Sequence, residues 1–247
     1  MTNLDHFFSR ASVRSYSATR HVSDEELDRL LDAAAHAPST GNMQLYSVIV
    51  TSDKARKEAI APLHFNQPAA KNCDALLTFC ADVRRFGQWC DARQANNSLN
   101  NAGGRLTAMI DATIFAQQFV CAAEQSGVGC CYLGTVTYNL DGFRKALELP
   151  GDVIPLFSIA VGYPVEDAAK NLSDRLPLSA IVHREVYHDA TPADIDSYYA
   201  EKEGLDESKR FIEENGKQTL AQVYSEIRYP RNLNEHVGSE LLKVIED

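Results

Sequence analysis

Positive charge is in short supply in this chain: 24 Lys and Arg against 34 Asp and Glu give a formal net charge of −10 and a pI near 5.2. That deficit opposes the electrostatic grip needed on a phosphate backbone or an anionic lipid surface, so neither nucleic acid nor membrane is expected as a partner. Cysteine is scarce as well. Six in 247 residues, at positions 73, 80, 90, 121, 130 and 131, form no CxxC pair. This speaks against a disulfide framework or a structural zinc site and predicts reduced, buried thiols, the adjacent Cys130 and Cys131 included. No apolar run of membrane-spanning length is evident, and the start MTNLDHFFSR lacks a basic leader followed by an apolar stretch, so a cytoplasmic protein is expected. The histidines lack metal-ligand spacing: His183 and His188 are five apart, and His64 and His236 have no near partner in the sequence, so no metal is expected. The single tryptophan, Trp89, and Phe79, Phe86, Phe115 and Phe119 read as core or pocket wall, because no basic groove accompanies them.

Repeats, low-complexity tracts and Pro/Gly/Ser linkers are also missing, which predicts one domain: a core over 1–187 and, within the same domain, a helical C-terminal extension over 188–247. The extension holds 14 Asp/Glu and 7 Lys/Arg, and so carries −7 of the net charge. Ser23 and Glu26 make a capping box for a helix running to about His36, with Leu27, Leu30, Leu31 and Ala34 on one face and Pro38 ending it. Runs 45–50, 75–81 and 154–163 are strand-like. Residues 105–126 read as a buried helix, apolar nearly all round, with Asp111, Gln118 and Gln125 as a narrow polar stripe and Gly127 as its cap. In a monomer it would be the core spine, in a dimer it could lie along the subunit contact. A shorter helix is expected over 139–149, closed by Pro150. The order of elements lacks regular βαβ alternation, so the class is α+β.

Four segments carry possible chemistry. In SRASVRSY, Arg10, Ser12 and Arg14 alternate, so in extended chain they share one face as an anion clamp; a merely solvated strand face is the plainer alternative. The loop APSTGNMQ carries Ser39, Thr40, Asn42 and Gln44, either as turn chemistry or as groups that meet a heterocycle edge. The segment GVGCCYLGTV turns twice at glycine, letting backbone approach a ligand, but lacks dinucleotide or P-loop spacing. In SDRLPLS, Arg175 precedes a Leu-Pro turn.

Together, in this order and spacing over roughly residues 6–187, the four segments resemble the FMN-dependent nitroreductase family, most closely its oxygen-insensitive NADPH nitroreductase and NADPH flavin reductase branch. The resemblance implies a nitroreductase-like fold, a central and mainly antiparallel sheet wrapped by helices in an intertwined homodimer, with non-covalent FMN as cofactor and NADPH or NADH as donor. It implies that the motif Arg10, Ala11, Ser12 and Arg14 binds FMN, Arg10 and Ser12 at the phosphate and Arg14 near N1 and O2 of the ring. Ser39 and Gln44 match the loop lining the flavin site, often from the second subunit. Gln67 matches a glutamine at the ring or ribityl edge. Tyr132, Leu133, Gly134 and Thr135 match the loop whose backbone N–H groups approach N5 and O4, and Arg175 a second phosphate-binding arginine.

Two positions depart from the family pattern. Lys-Pro-Arg-Leu-Pro reads Ser173, Asp174, Arg175, Leu176, Pro177 here, and a pair of glycines reads Gly134 and Thr135. The implied activity is ping-pong, two-electron reduction of nitroaromatics, quinones or flavins at FMN, with no catalytic side chain beyond the support that Arg14 gives the reduced ring. A dedicated NADPH flavin reductase releasing reduced FMN, and a non-catalytic flavin-binding or storage protein, are the alternatives. Arg228 and Arg231 are candidates for a 2′-phosphate contact or for structural roles in the extension.

Overall fold

The computed structural model describes residues 4–165 and 172–246. Its elements are α1 (Asp5–Phe8), α2 (Asp24–Ala35), β1 (Tyr46–Thr51), α3 (Lys54–Ile60), α4 (Pro68–Asn72), β2 (Ala75–Asp82), α5 (Arg84–Ala92), α6 (Ala102–Gln125), β3 (Gly129–Leu133), α7 (Leu140–Ala146), β4 (Val153–Gly162), α8 (Pro192–Gly204), α9 (Asp206–Glu214), the short α10 (Leu220–Gln222) and α11 (Arg231–Glu246). They group into two compact units, Met1–Asn171 with Ser239–Asp247, and Leu172–Gly238.

The first unit is built on an antiparallel sheet in the order β1-β2-β4-β3. β2 is buried along its whole length, as a strand covered on both faces must be, and its Thr78 hydroxyl meets Ser158 of β4 at 2.9 Å, so the two buried polar groups satisfy each other. Pro155 sits inside β4. There the pairing with β2 jumps from Phe79↔Phe157 to Cys80↔Pro155, leaving Leu156 as the extra residue of a bulge, since proline has no N–H for the ladder.

Side chains alternate across the sheet and divide the core. Leu77, Phe79, Cys130, Ile159 and Val161 pack on one side with Leu27, Leu30, Phe115 and Phe119 from α2 and α6; Leu76, Cys131, Leu133 and Ala160 pack on the other with Ile60, Ala70, Val136 and Phe143. A third cluster joins Leu45, Ala81, Val83 and Ala108 to Val244 in the last turns of α11.

The three predicted strands appear as β1, β2 and β4. Residues 129–133, expected as a glycine-rich turn leading to an apolar stretch, form the edge strand β3. Ser23 caps α2 by accepting from Glu26 N at 3.1 Å, but the return half of the capping box is absent because the Glu26 carboxylate accepts from Tyr163 OH instead. α7 stops at Ala146 rather than near Leu149: Glu148 takes a left-handed φ of 54° and ends the helix before Pro150.

α6 departs most from expectation. It is one helix of 24 residues, long and apolar enough by length and composition to cross a bilayer, where no such run was evident in the sequence. Its packing marks a core helix: Ala108, Ala112, Phe115, Ala116, Phe119 and Ala123 are buried against the sheet and α2. It is not buried all round. Leu106, Ile110 and Ile114, at i, i+4 and i+8, are 56%, 52% and 38% exposed, and Asp111, expected on a polar stripe, is buried. Gly127 caps the helix at φ 81° as predicted.

The second unit is held by local devices. Thr191 with Asp194 and Thr219 with Gln222 form full capping boxes, and Lys217 pairs with Glu226 at 2.7 Å. Arg228 lies over the rings of Phe211 and Tyr224, and Arg231 pairs with Glu235 one helical turn on, so both arginines have structural partners.

Candidate functional site

Residues 10–14 run extended beside β3, with Val13 N donating to Cys130 O at 3.0 Å. The approach is possible because Gly129 has no side chain: a Cβ there would lie 2.6 Å from Val13. Val13 turns into the core, and Ser12 and Arg14 are exposed. Arg10 is half-buried and already engaged. Its guanidinium forks onto the Glu124 carboxylate of α6, Nη2 to Oε1 at 2.7 Å and Nε to Oε2 at 3.0 Å, and this pairing holds its pKa above the ordinary arginine value. Glu124 was missed in the sequence because it sits where a helix periodicity predicts only a half-exposed polar residue.

β3 then delivers Tyr132 and Leu133 to the 3-10 turn Gly134–Asn139. Tyr132 is part-exposed, its ring set against Phe157, and burial raises its phenol pKa. Leu133 is buried, and a Cβ at Gly134 would meet nothing within 4 Å, so the backbone here borders open space. Thr135 turns its hydroxyl to Nδ1 of His64 at 2.6 Å. His64 closes the 3-10 turn Ala61–His64 that leads through Phe65 and Asn66, both left-handed, to the half-buried Gln67. Ala11, Ser12, Arg14, Gln67 and residues 132–135 are thus all carried by segments tied to β3 or to the turn that follows it.

Ser39 and Gln44 lie on the loop entering β1, at the opposite edge of the sheet. β1 and β3 are separated by two strands, about 14 Å at ordinary strand spacing. The loop is held by two side chains and is left-handed at Gln44. Thr40 donates through N and Oγ1 to Asp111 Oδ1, each at 3.0 Å; the Gln44 carbonyl accepts from Arg85, whose side chain also reaches Tyr46 O; and Gln44 takes a φ of 53°. Nearby, Ser39 Oγ, Tyr46 OH and Asp111 Oδ2 are buried with no hydrogen-bond partner among the described residues. Burial, and then the Asp111 charge, raise the Tyr46 pKa.

In the second unit Arg175 is exposed and donates through Nη1 to the carbonyls of Ser173 and Asp174, both at 3.0 Å. Asp174, the carboxylate that departs from the family pattern, is met by Lys202 of α8 at 3.4 Å. A cation therefore stands near residue 173 after all, supplied from 29 residues further along the chain.

The donor set suits a flavin mononucleotide: a hydroxyl and an exposed guanidinium on one extended segment, a backbone turn open to space, and an amide side chain on the segment that His64 ties to that turn. Comparison with known proteins agrees. The model of the nitroreductase family matches residues 8–163. The chain is 33% identical to FMN reductase (NADPH) of Bacillus subtilis over 187 residues, 75% of this chain and 74% of that protein, and 31% identical to the oxygen-insensitive NADPH nitroreductase of Salmonella typhimurium over 176 residues, 71% and 70% of the two. A crystal structure from Bacteroides fragilis, described as an oxidoreductase, superposes with a TM-score of 0.93 at 44% identity, covering 98% of this chain and 97% of that one. The nitroreductase NfrA1 of B. subtilis superposes at 0.77 with 29% identity, covering 96% and 97%. Motif order, sheet topology and these matches lead to one conclusion: this chain belongs to the nitroreductase family.

Proposed function

We propose that the protein is an FMN-dependent NAD(P)H oxidoreductase that reduces nitroaromatics, quinones or flavins, acting as a homodimer. Bound FMN supplies hydride relay between a nicotinamide donor and an electron-poor acceptor. Ser12 binds the phosphate, and Arg10 adds the part of its charge that Glu124 leaves over; Arg175 is the second phosphate-binding arginine that the family resemblance implies. Arg14 stands at the N1/O2 edge, where its fixed charge favours the electron-rich ring. Residues 132–135 present backbone N–H groups, and Gln67 orients the ring edge. No side chain of the chain need give or take a proton for hydride to move.

The homodimer rests chiefly on the placement of the two loops. Ser39 and Gln44 enter at one edge of the sheet and residues 132–135 leave at the other, so a site using both draws them from two copies of the chain. The exposed stripe Leu106, Ile110, Ile114 on α6 offers the apolar face such a pairing needs. A cytoplasmic location belongs to the same reading, supported by six unpaired thiols, five of them buried.

The experiment is an anaerobic titration of FMN-loaded protein with NADPH and then NADH, followed by a nitroaromatic, a quinone or free FMN. Bleaching by a nicotinamide and recovery of colour with an acceptor is the expected result. Retained FMN with no bleaching would leave a storage protein, and loss of FMN from the protein upon reduction would mark a dedicated flavin reductase.

A further inference from the structure

His64 is fully buried, yet among the described residues its ring makes one hydrogen bond, Nδ1 to Thr135 Oγ1 at 2.6 Å, and Nε2 is buried with no partner there. An imidazole placed edge-on to Phe143, 4.8 Å between ring centroids, is a costly way to fill a core position that an aliphatic side chain would fill without orphaning a nitrogen. The bond it does make goes to the turn implicated in the flavin site. It also falls on the residue that departs from the family pattern, a threonine where the second of two glycines is usual. A second clip runs parallel to it, Asn139 Nδ2 donating to Leu63 O at 2.7 Å. Together they join the 3-10 turn that leads into Gln67 to the 3-10 turn that begins at Gly134.

We propose that His64 is a positioning residue for the flavin: it holds the Thr135 side chain turned into the core, and so fixes the backbone of residues 133–135 and, three residues on in its own segment, Gln67 against the ring. A glycine at 135 has no side chain to stow. Threonine does, and an unheld Thr135 can rotate its methyl and hydroxyl toward the open space bordered by Gly134. Burial pushes the His64 imidazole down to about 4, so the clip is neutral at physiological pH and adds no charge beside the ring. The inference rests on the FMN reading above.

The test uses the full-length protein saturated with FMN, with His64→Leu, Thr135→Val, the double variant and His64→Asn, whose amide can restore a bond to the hydroxyl. Three properties of bound flavin are followed, namely its visible absorption and circular dichroism, its midpoint potential and the stopped-flow rate of reduction by NADPH, beside the urea midpoint of the apoprotein. His64→Leu and Thr135→Val should each perturb the flavin spectrum in the same sense and slow reduction roughly tenfold, as expected for a small misplacement of reacting groups. The double variant should be no worse than either single one, because both remove the same bond, and His64→Asn should recover most of the rate. A His64→Leu protein that is less stable but keeps the wild-type spectrum, potential and rate would overturn the proposal, as would additive effects in the double variant. Failure of the FMN reading itself would be visible beforehand, as wild-type protein that does not quench FMN fluorescence.

Discussion

Arg10 and Glu124 form a forked ion pair, 2.7 Å at its shortest, that binds the start of the chain to the last turn of α6. The arginine expected to serve the FMN phosphate alone therefore shares its charge with a carboxylate that is itself nearly buried, 10% exposed in its side chain. Glu124→Gln keeps one hydrogen bond to Arg10 and removes the negative charge. FMN binding should tighten about fivefold, or about 1 kcal/mol, as read by fluorescence quenching. Arg10→Met alone would strand Glu124 without its cation and cost stability as well as affinity, so Arg10→Met/Glu124→Leu is the variant that isolates the phosphate role.

Arg14 carries no such partner carboxylate among the described ion pairs. Phosphate keeps its charge when flavin is reduced, whereas negative charge near N1 appears only upon reduction, so a cation at that edge favours the reduced form selectively. In FMN-saturated protein, Arg14→Met should lower the midpoint potential and slow reduction about tenfold. The Arg10→Met/Glu124→Leu protein, saturated likewise, should keep both near wild type. Redox titration with stopped-flow reduction checks the pair.

Lys202 neutralises Asp174, the residue next to the position where the branch usually has lysine. Lys202→Met should unmask the carboxylate beside Arg175 and weaken FMN retention about threefold, more at low salt than at high. Ser173→Lys should tighten binding, and tighten it more in the Lys202→Met background. Dialysis at two ionic strengths followed by flavin quantitation reads out all three proteins.

His64 gives stability a pH dependence of definite sign. Its folded pKa, about 4, lies below the unfolded value near 6.5, so between these values the unfolded chain binds the extra proton and acid favours unfolding. Its contribution falls from full strength above pH 6.5 by about 3 kcal/mol on reaching pH 4. The urea midpoint of wild type should fall relative to that of His64→Leu as pH drops through this window, since only the wild type bears the penalty.

The exposed stripe on α6 has its own test. Ile110→Glu changes a residue that is half-exposed in one chain, so a monomer would tolerate it. In the proposed dimer it buries a charge, and sedimentation should show monomers that bind FMN at least tenfold more weakly.

Much of this was legible in the residues. Strands β1, β2 and β4 announced themselves through apolar and β-branched runs, and α2 through Ser23 and the spacing of Leu27, Leu30 and Ala34. β3 did not, because GCCYL at a sheet edge has neither alternation nor β-branched residues, and its glycine is there for Val13, a contact 116 residues away in sequence. The site motifs gave positions but not partners. Glu124, Asp111, Lys202 and His64 act through contacts made only once the chain is folded, and each looks ordinary in its own helix or turn. Asp111 is instructive: a spacing of seven put it on a polar stripe with Gln118 and Gln125, but its task is to hold Thr40 across the core.

The neighbouring cysteines of β3 point to opposite faces of the sheet, Cys130 into the layer under α2 and α6 and Cys131 into the layer that holds Phe143. Adjacent in sequence, they are partitioned by the backbone between them into two separate compartments. An alkylating reagent can reach each sulfur only when its own layer opens, so the relative labelling rates of the two thiols measure whether the layers breathe together or apart. One strand thus carries a built-in pair of reporters, native to the chain, on the cooperativity of its two cores.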